Sequence, residues 1–147
     1  MTSLADRQAA LVAALTAGAP TPPGFDTRRL EVARIALLRK RSGEVARHWP
    51  LLAATLGPAW TGTFTEWAAT RPTRGSLRDG WDLARALAAA PGGLEPAAAI
   101  ELATREVGWR YDGRRPPRRR RAPAARRAGG ALVVQCLGRV TVIGRAT

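Results

Sequence analysis

His48 and Cys136 are the only histidine and cysteine of the chain, so a thiolate–imidazole pair would require the two to meet across the fold. Cys136 falls in an alternating apolar run with no electropositive activation of its own. His48 stands beside Trp49-Pro50 at a predicted helix junction, where an imidazole bonds a free carbonyl or caps a helix end. Both therefore read as structural. One of each cannot assemble a Cys/His zinc cluster, and neither Cys-x-x-Cys nor His-x-x-x-His spacing occurs. Asp79 and Asp82 lie three apart on a predicted helix and could share a face, but at a helix start they read as solvated carboxylates that complement the helix dipole. No glycine pattern of the phosphate-cradling type is present. The expectation is a protein without catalytic, metal or cofactor residues of its own, one that works by binding a partner.

The chemistry that the sequence does offer is cationic. Residues 1–107 carry 13 basic and 10 acidic side chains, whereas residues 108–147 carry 11 basic and one acidic. Guanidinium pairs with phosphate and with carboxylate through the same two-pronged geometry. The excess in the last quarter thus points to nucleic acid, an acidic protein or peptide, or an anionic membrane surface without choosing among them. Lys40 is the only lysine, and codon usage in a GC-rich genome would produce the same preference for arginine. Trp109 and Tyr111 alternate with Arg110 at the edge of this segment, where they either stack on a ligand or close a sheet against the helices. The candidate peptide or anion contacts are Trp109, Arg110, Tyr111, Arg114, Arg115, Arg118, Arg119, Arg120 and Arg121.

Helices must position these residues. Thr2 or Ser3 can cap a first helix carrying Leu4, Leu11, Val12 and Leu15 on one face, ended by Gly18 and Pro20. Asp26 or Thr27 can cap a second, with Leu30, Ala33, Leu37 and Leu38 inward. Val45, Trp49, Leu52 and Leu56 continue the apolar spacing, yet Pro50 lacks a donor and restricts Trp49, so a new helix should start there. Trp60, Phe64 and Trp67 form another stripe. Ser76 followed by Asp79 suggests a capping box ahead of Leu77, Trp81, Ala84 and Leu87, and 95–106 reads as a last helix burying Ala99, Ile100 and Ala103. The four tryptophans at 49, 60, 67 and 81 read as core. Beyond them, 132–136 and 139–143 read as a hairpin, with 107–111 as a third strand of its sheet, and 114–123 reads as a flexible basic loop. The predicted fold is α+β, mainly α, with a helical docking domain over 1–107 and a basic loop plus small antiparallel sheet over 108–147.

A single cysteine suits a reducing compartment. No apolar run reaches the ~18 residues of a membrane span, and Asp6 and Arg7 interrupt any signal-peptide core. The expected location is the cytoplasm.

From Phe25-Asp26 through Leu87, the order Arg29-Leu30-x-Val32-x-Arg34, Trp49-Pro50, Leu56-Gly57, Phe64-x-x-Trp67, Pro72 and Ser76-Leu77-x-x-Gly80 resembles the N-terminal helical domain of the HvfC/BufC family. The tail from Trp109-Arg110-Tyr111-Asp112-Gly113 resembles that of a high-GC bacterial branch of such proteins. The resemblance implies an accessory protein that docks through its helical domain on a multinuclear non-haem iron oxidative enzyme of the barrel type. It also implies that the protein helps present a ribosomally made precursor peptide, with the C-terminal β-containing part as the leader contact. The metal and the oxidative chemistry would belong to the enzyme. A DNA-binding role, which the resemblance also implies for the same helical domain, is the alternative.

Overall fold

Residues 3–144 are described by the structure, a computed structural model. Ser3 begins helix α1 (Leu4–Ala17) with a capping box, since its hydroxyl accepts from the Asp6 amide at 3.1 Å while the Asp6 carboxylate accepts from the Ser3 amide at 3.0 Å. Thr2, the other candidate cap, lies outside the described residues. Asp26 caps α2 (Thr27–His48) by accepting from the Arg28 and Arg29 amides. Trp49 leaves the helical conformation and Pro50 opens α3 (Pro50–Leu56), the restart that the proline requires. A 3-10 turn, Gly57–Ala59, leads into α4 (Trp60–Ala68), followed by α5 (Ser76–Ala89) and α6 (Pro96–Gly108).

These helices enclose one core built on Trp49, Trp60, Phe64 and Trp81, with Trp67 packed against it. Two of the three buried indoles satisfy their polar tips: Trp49 Nε1 donates to the Leu77 carbonyl at 2.9 Å and Trp60 Nε1 to the Ser42 carbonyl at 3.2 Å, whereas Trp81 Nε1 has no hydrogen-bond partner among the described residues. Gly80 of α5 allows the close approach of Trp49. The inward face of α2 differs from the expected one. Leu38, Ser42 and Val45 are buried, while Ala33 and Leu37 are exposed, because the amino-terminal half of α2 is covered by α1 on one side only and the core gathers around its carboxyl half. On α1, likewise, Leu4 and Val12 point to solvent and Ala14 is the buried residue.

Two antiparallel sheets follow. β1 (Trp109–Arg110) pairs with β2 (Arg118–Arg119), and β3 (Ala124–Ala128), β4 (Ala131–Cys136) and β5 (Arg139–Ile143) form a meander in that order. The segment 107–111 is therefore not the third strand of the hairpin's sheet. That strand is β3, joined to β4 by Gly129-Gly130, both at positive φ in a two-residue turn. Only glycine fits at 129, where a Cβ would run into the Pro96 carbonyl. Nor is 114–123 a free loop: Arg118–Arg119 is strand, the Arg120 amide donates to the Gly108 carbonyl at 2.9 Å, and Asp112 Oδ1 accepts from the Arg114 and Arg115 amides. Alternate residues of β4, Ala131, Val133 and Gln135, face α6 and are buried.

Ala103 and Val107 of α6 pack on Val133 of β4, and two ion pairs on Glu106 add to that contact, one from Arg85 of α5 at 2.8 Å and one from Arg126 of β3 at 2.8 Å. Glu106 is thus a joint between the helices and the sheet.

Candidate functional site

Helix α6 packs chiefly on β3 and β4, so the space beneath β5 stays open. The result is a groove of about 630 Å³ between α3, α6, β5 and the β1–β2 ladder, with Leu51, Ile100, Trp109, Arg119, Val140 and Val142 among its walls. Val140 and Val142 stand opposite Gln135 and Val133 in the register, which turns them to the α6 side of the sheet while they remain 38% and 46% exposed. β5 is an edge strand whose outer side has no partner among the described residues. The other edge, β3, carries Arg126 and Arg127 at its centre, the kind of charge that discourages pairing with another chain; β5 has Val-Thr-Val-Ile instead.

The floor of the groove is tied to α3 and the α2–α3 junction by Glu101 and Arg105 of α6. Glu101 of α6 accepts from the Leu52 amide at 2.7 Å and so caps α3, whose own N-cap offers no side chain. The Arg105 guanidinium lies 4.6 Å from the centroid of the Trp49 ring and donates to the His48 carbonyl. His48 thus contributes its backbone to the junction, and its imidazole is exposed and in no metal-holding cluster among the described residues. Cys136 is exposed at the end of β4.

Burial outweighs the amide bonds at Glu101 and pushes its carboxyl above the ordinary value of 4.5. A folded carboxyl with a raised value keeps its proton where the unfolded chain has lost it. Its contribution to stability is therefore greatest at low pH and declines as pH climbs from the unfolded value through the folded one. Glu101→Gln, which cannot ionise, should accordingly gain stability relative to the wild type between about pH 4 and about pH 7. Urea melts at the two pH values would show the change, and a constant difference would contradict it.

The structure separates the candidate contacts. Trp109 is half-buried in the groove, with the Arg119 guanidinium 5.1 Å from its ring centroid. Tyr111 belongs to the core: 8% exposed, it packs at a tilt with its ring centroid 5.0 Å from that of Trp81 and donates its hydroxyl to Asp82 at 2.9 Å, and burial pushes its phenol up. Arg120 is spent on the Glu106 and Trp109 carbonyls. Arg110, Arg114, Arg115, Arg118 and Arg121 are exposed. The predicted capping box at Ser76 is absent, since Gly75 precedes the helix and Asp79 turns inward. Asp79 is 2% exposed and accepts from Arg41 Nε at 2.8 Å, Thr73 Oγ1 at 2.7 Å and the Arg74 amide at 2.9 Å.

Sequence reasoning missed the groove walls supplied by Leu51 and Ile100. The alternation of Val140 and Val142 was the available signal, but nothing local says that α3 lies across from them. A second surface, on α2, has no signal in the sequence spacing of the inward residues. Val32 and Ile35 of α2, three residues apart, are 65% and 41% exposed, and Ile35 lines a concavity of about 470 Å³ between α2 and α4 with Arg39, Thr61 and Thr65.

Fold and surfaces together define a mainly helical α+β module with an apolar, cationic groove and an exposed apolar face on α2. The chain belongs to the family described as SCO6045-like, C-terminal domain, whose model matches residues 5–89, the stretch from α1 through α5. It is 40% identical over 117 residues to a UPF0276 protein of Streptomyces avermitilis, an alignment that covers 79% of this chain and 24% of that protein. The chain thus spans about a quarter of the length of this curated relative. No solved structure matches it.

Proposed function

We propose that the chain is a non-catalytic accessory module that docks on a larger polypeptide and helps present a ribosomally made precursor peptide to it. The observation that carries this reading is the size relation. The family is defined as a C-terminal domain, and about three quarters of the matched S. avermitilis protein lies outside the match, so the module occurs joined to a much larger body. The exposed Val32–Ile35 face of α2 suits contact with such a body, because apolar side chains of this size gain by leaving water. The groove under β5, with its apolar walls and Arg105 and Arg119, suits an extended peptide bearing apolar and acidic residues. On the resemblance to HvfC/BufC helical domains, the body in this proposal is a multinuclear non-haem iron oxidative enzyme of the barrel type that brings its own metal. Such an assembly would work in the cytoplasm; no helix among the described residues is long and apolar enough to cross a membrane.

Nucleic-acid binding is the second reading, favoured by the exposed arginines of 114–121. Against it, Tyr111 is buried and the Trp109 ring is covered by Arg119, which leaves neither free to stack on a base.

Tagged protein recovered from its native extract at about 0.3 M salt, where exposed charge contacts are strongly screened, should retain an iron-containing oxidative enzyme. A variant carrying Val32→Glu and Ile35→Glu should retain roughly ten-fold less or lower still, because each charge would have to be desolvated at the contact. Nucleic acid alone, bound only at low salt, would replace this reading with the second one.

A further inference from the structure

The β1–β2 ladder has two faces. On one, Trp109 stands opposite Arg119 and the guanidinium covers the ring, a favourable pair. On the other, Arg110 stands directly opposite Arg118, and like charges at opposed strand positions repel. A third arginine, Arg115, lines the same concavity of about 410 Å³ together with Arg110, Arg118, Arg120 and Tyr111. None of these four arginines forms an ion pair among the described residues. The one carboxylate in the lining, Asp112, is lowered below its ordinary value by the Arg115 and Arg114 amides, and its Oδ1 accepts from both.

The backbone that carries these arginines is fixed from several sides. The Gly113 and Arg114 carbonyls accept from Arg74 and Arg78 of the helical part, the Tyr111 carbonyl accepts from Arg85 at 2.9 Å, and Pro116-Pro117 stiffens the return to β2. Tyr111 itself is anchored on Asp82. Cationic side chains on a restrained backbone, with a repulsive pair at their centre, fit a ligand that supplies the missing negative charge.

We propose that Arg110, Arg115 and Arg118 form a binding site for a phosphate-class dianion, either free or as the terminal group of a phosphomonoester. A single carboxylate brings one charge and two oxygens. A phosphate monoester brings close to two charges near neutral pH and three terminal acceptors, enough to bridge the opposed pair and reach Arg115. The inference is independent of the partner reading, since it concerns the face of the ladder turned away from the groove.

Thermal unfolding of the whole chain in inorganic phosphate, against sodium chloride at equal ionic strength, tests the site. Phosphate should raise the midpoint beyond chloride and saturate. Arg118→Gln has a signature of opposite sign in the two salts: relief of the repulsion raises the midpoint in chloride, while phosphate affinity falls roughly ten-fold or more. Arg121→Gln removes the same charge outside the concavity and should leave phosphate affinity nearly unchanged. Binding of phenyl phosphate as well as inorganic phosphate would identify the monoester as a source, whereas inorganic phosphate alone would identify the free ion. Phosphate acting no better than chloride, an equal loss in both variants, or short duplex DNA displacing phosphate at equal phosphorus content would overturn the dianion assignment.

Discussion

Asp79→Ala should lower folding stability by about 3–5 kcal/mol, the range for breaking a buried ion pair by removing one partner. The carboxylate is 2% exposed and the Arg41 side chain 12%. Arg41 bridges α2 to α5, and it also donates to the Arg71 carbonyl at 2.8 Å in the loop before α5. Asp79 holds that loop as well, through Thr73 and the Arg74 amide. Alanine would leave a guanidinium without its counter-charge and orphan the two other donors. Asp82→Ala serves as the comparison, because Asp82 is only half-buried and its side chain accepts one hydrogen bond, from Tyr111. Urea unfolding of the two variants should separate them clearly; equal losses would mean that Asp79 is not the anchor of the α2–α5 contact.

The second large effect is expected at Gly80. In an exposed helix, glycine to alanine gains about 1 kcal/mol. Here the added Cβ would overlap the pyrrole edge of Trp49, with Cγ only 2.7 Å away. The indole has little room to retreat, being held by its bond to Leu77, by Arg105 over its ring and by edge contact with Trp81 at 5.9 Å. Overpacking of this kind costs about 1–3 kcal/mol and occasionally more, so the net result of Gly80→Ala should be destabilising despite the helical preference. Combining it with Trp49→Phe should recover part of the loss, since the smaller ring vacates the overlap. Independent, additive losses would contradict the contact as the cause.

These two positions also show what was legible in the sequence. Helix starts and stops followed from chemistry confined to a few residues, as with Ser3 and Asp6, Asp26, and the Pro50 restart, and the α+β architecture with its helices before its sheet follows from the same signals. From the sequence Asp79 looks like a solvated helix-start carboxylate, because its partner, Arg41, lies on another helix 38 positions away and no periodicity within α5 reports that. The misassigned third strand has a similar origin. Ala124–Ala128 has little β-forming composition; the Gly129-Gly130 turn after it is a local hairpin signal, but the Arg126–Glu106 ion pair that ties the strand to α6 is tertiary. Trp109 and Tyr111 looked alike as alternating aromatics beside a basic run. Only the packing of Trp81 and Asp82 beneath Tyr111 separates them, sending one ring into the core and leaving the other in the groove.

The central claim is that this module works against a larger body of the kind that makes up most of the S. avermitilis relative. Mixing the purified chain with a separately produced polypeptide corresponding to the unmatched three quarters of that protein, then measuring mass by light scattering during gel filtration, tests this most directly. A complex that persists at about 0.3 M salt and is lost with Val32→Glu plus Ile35→Glu is the result expected. Separate elution of the two proteins at every salt concentration would contradict the account.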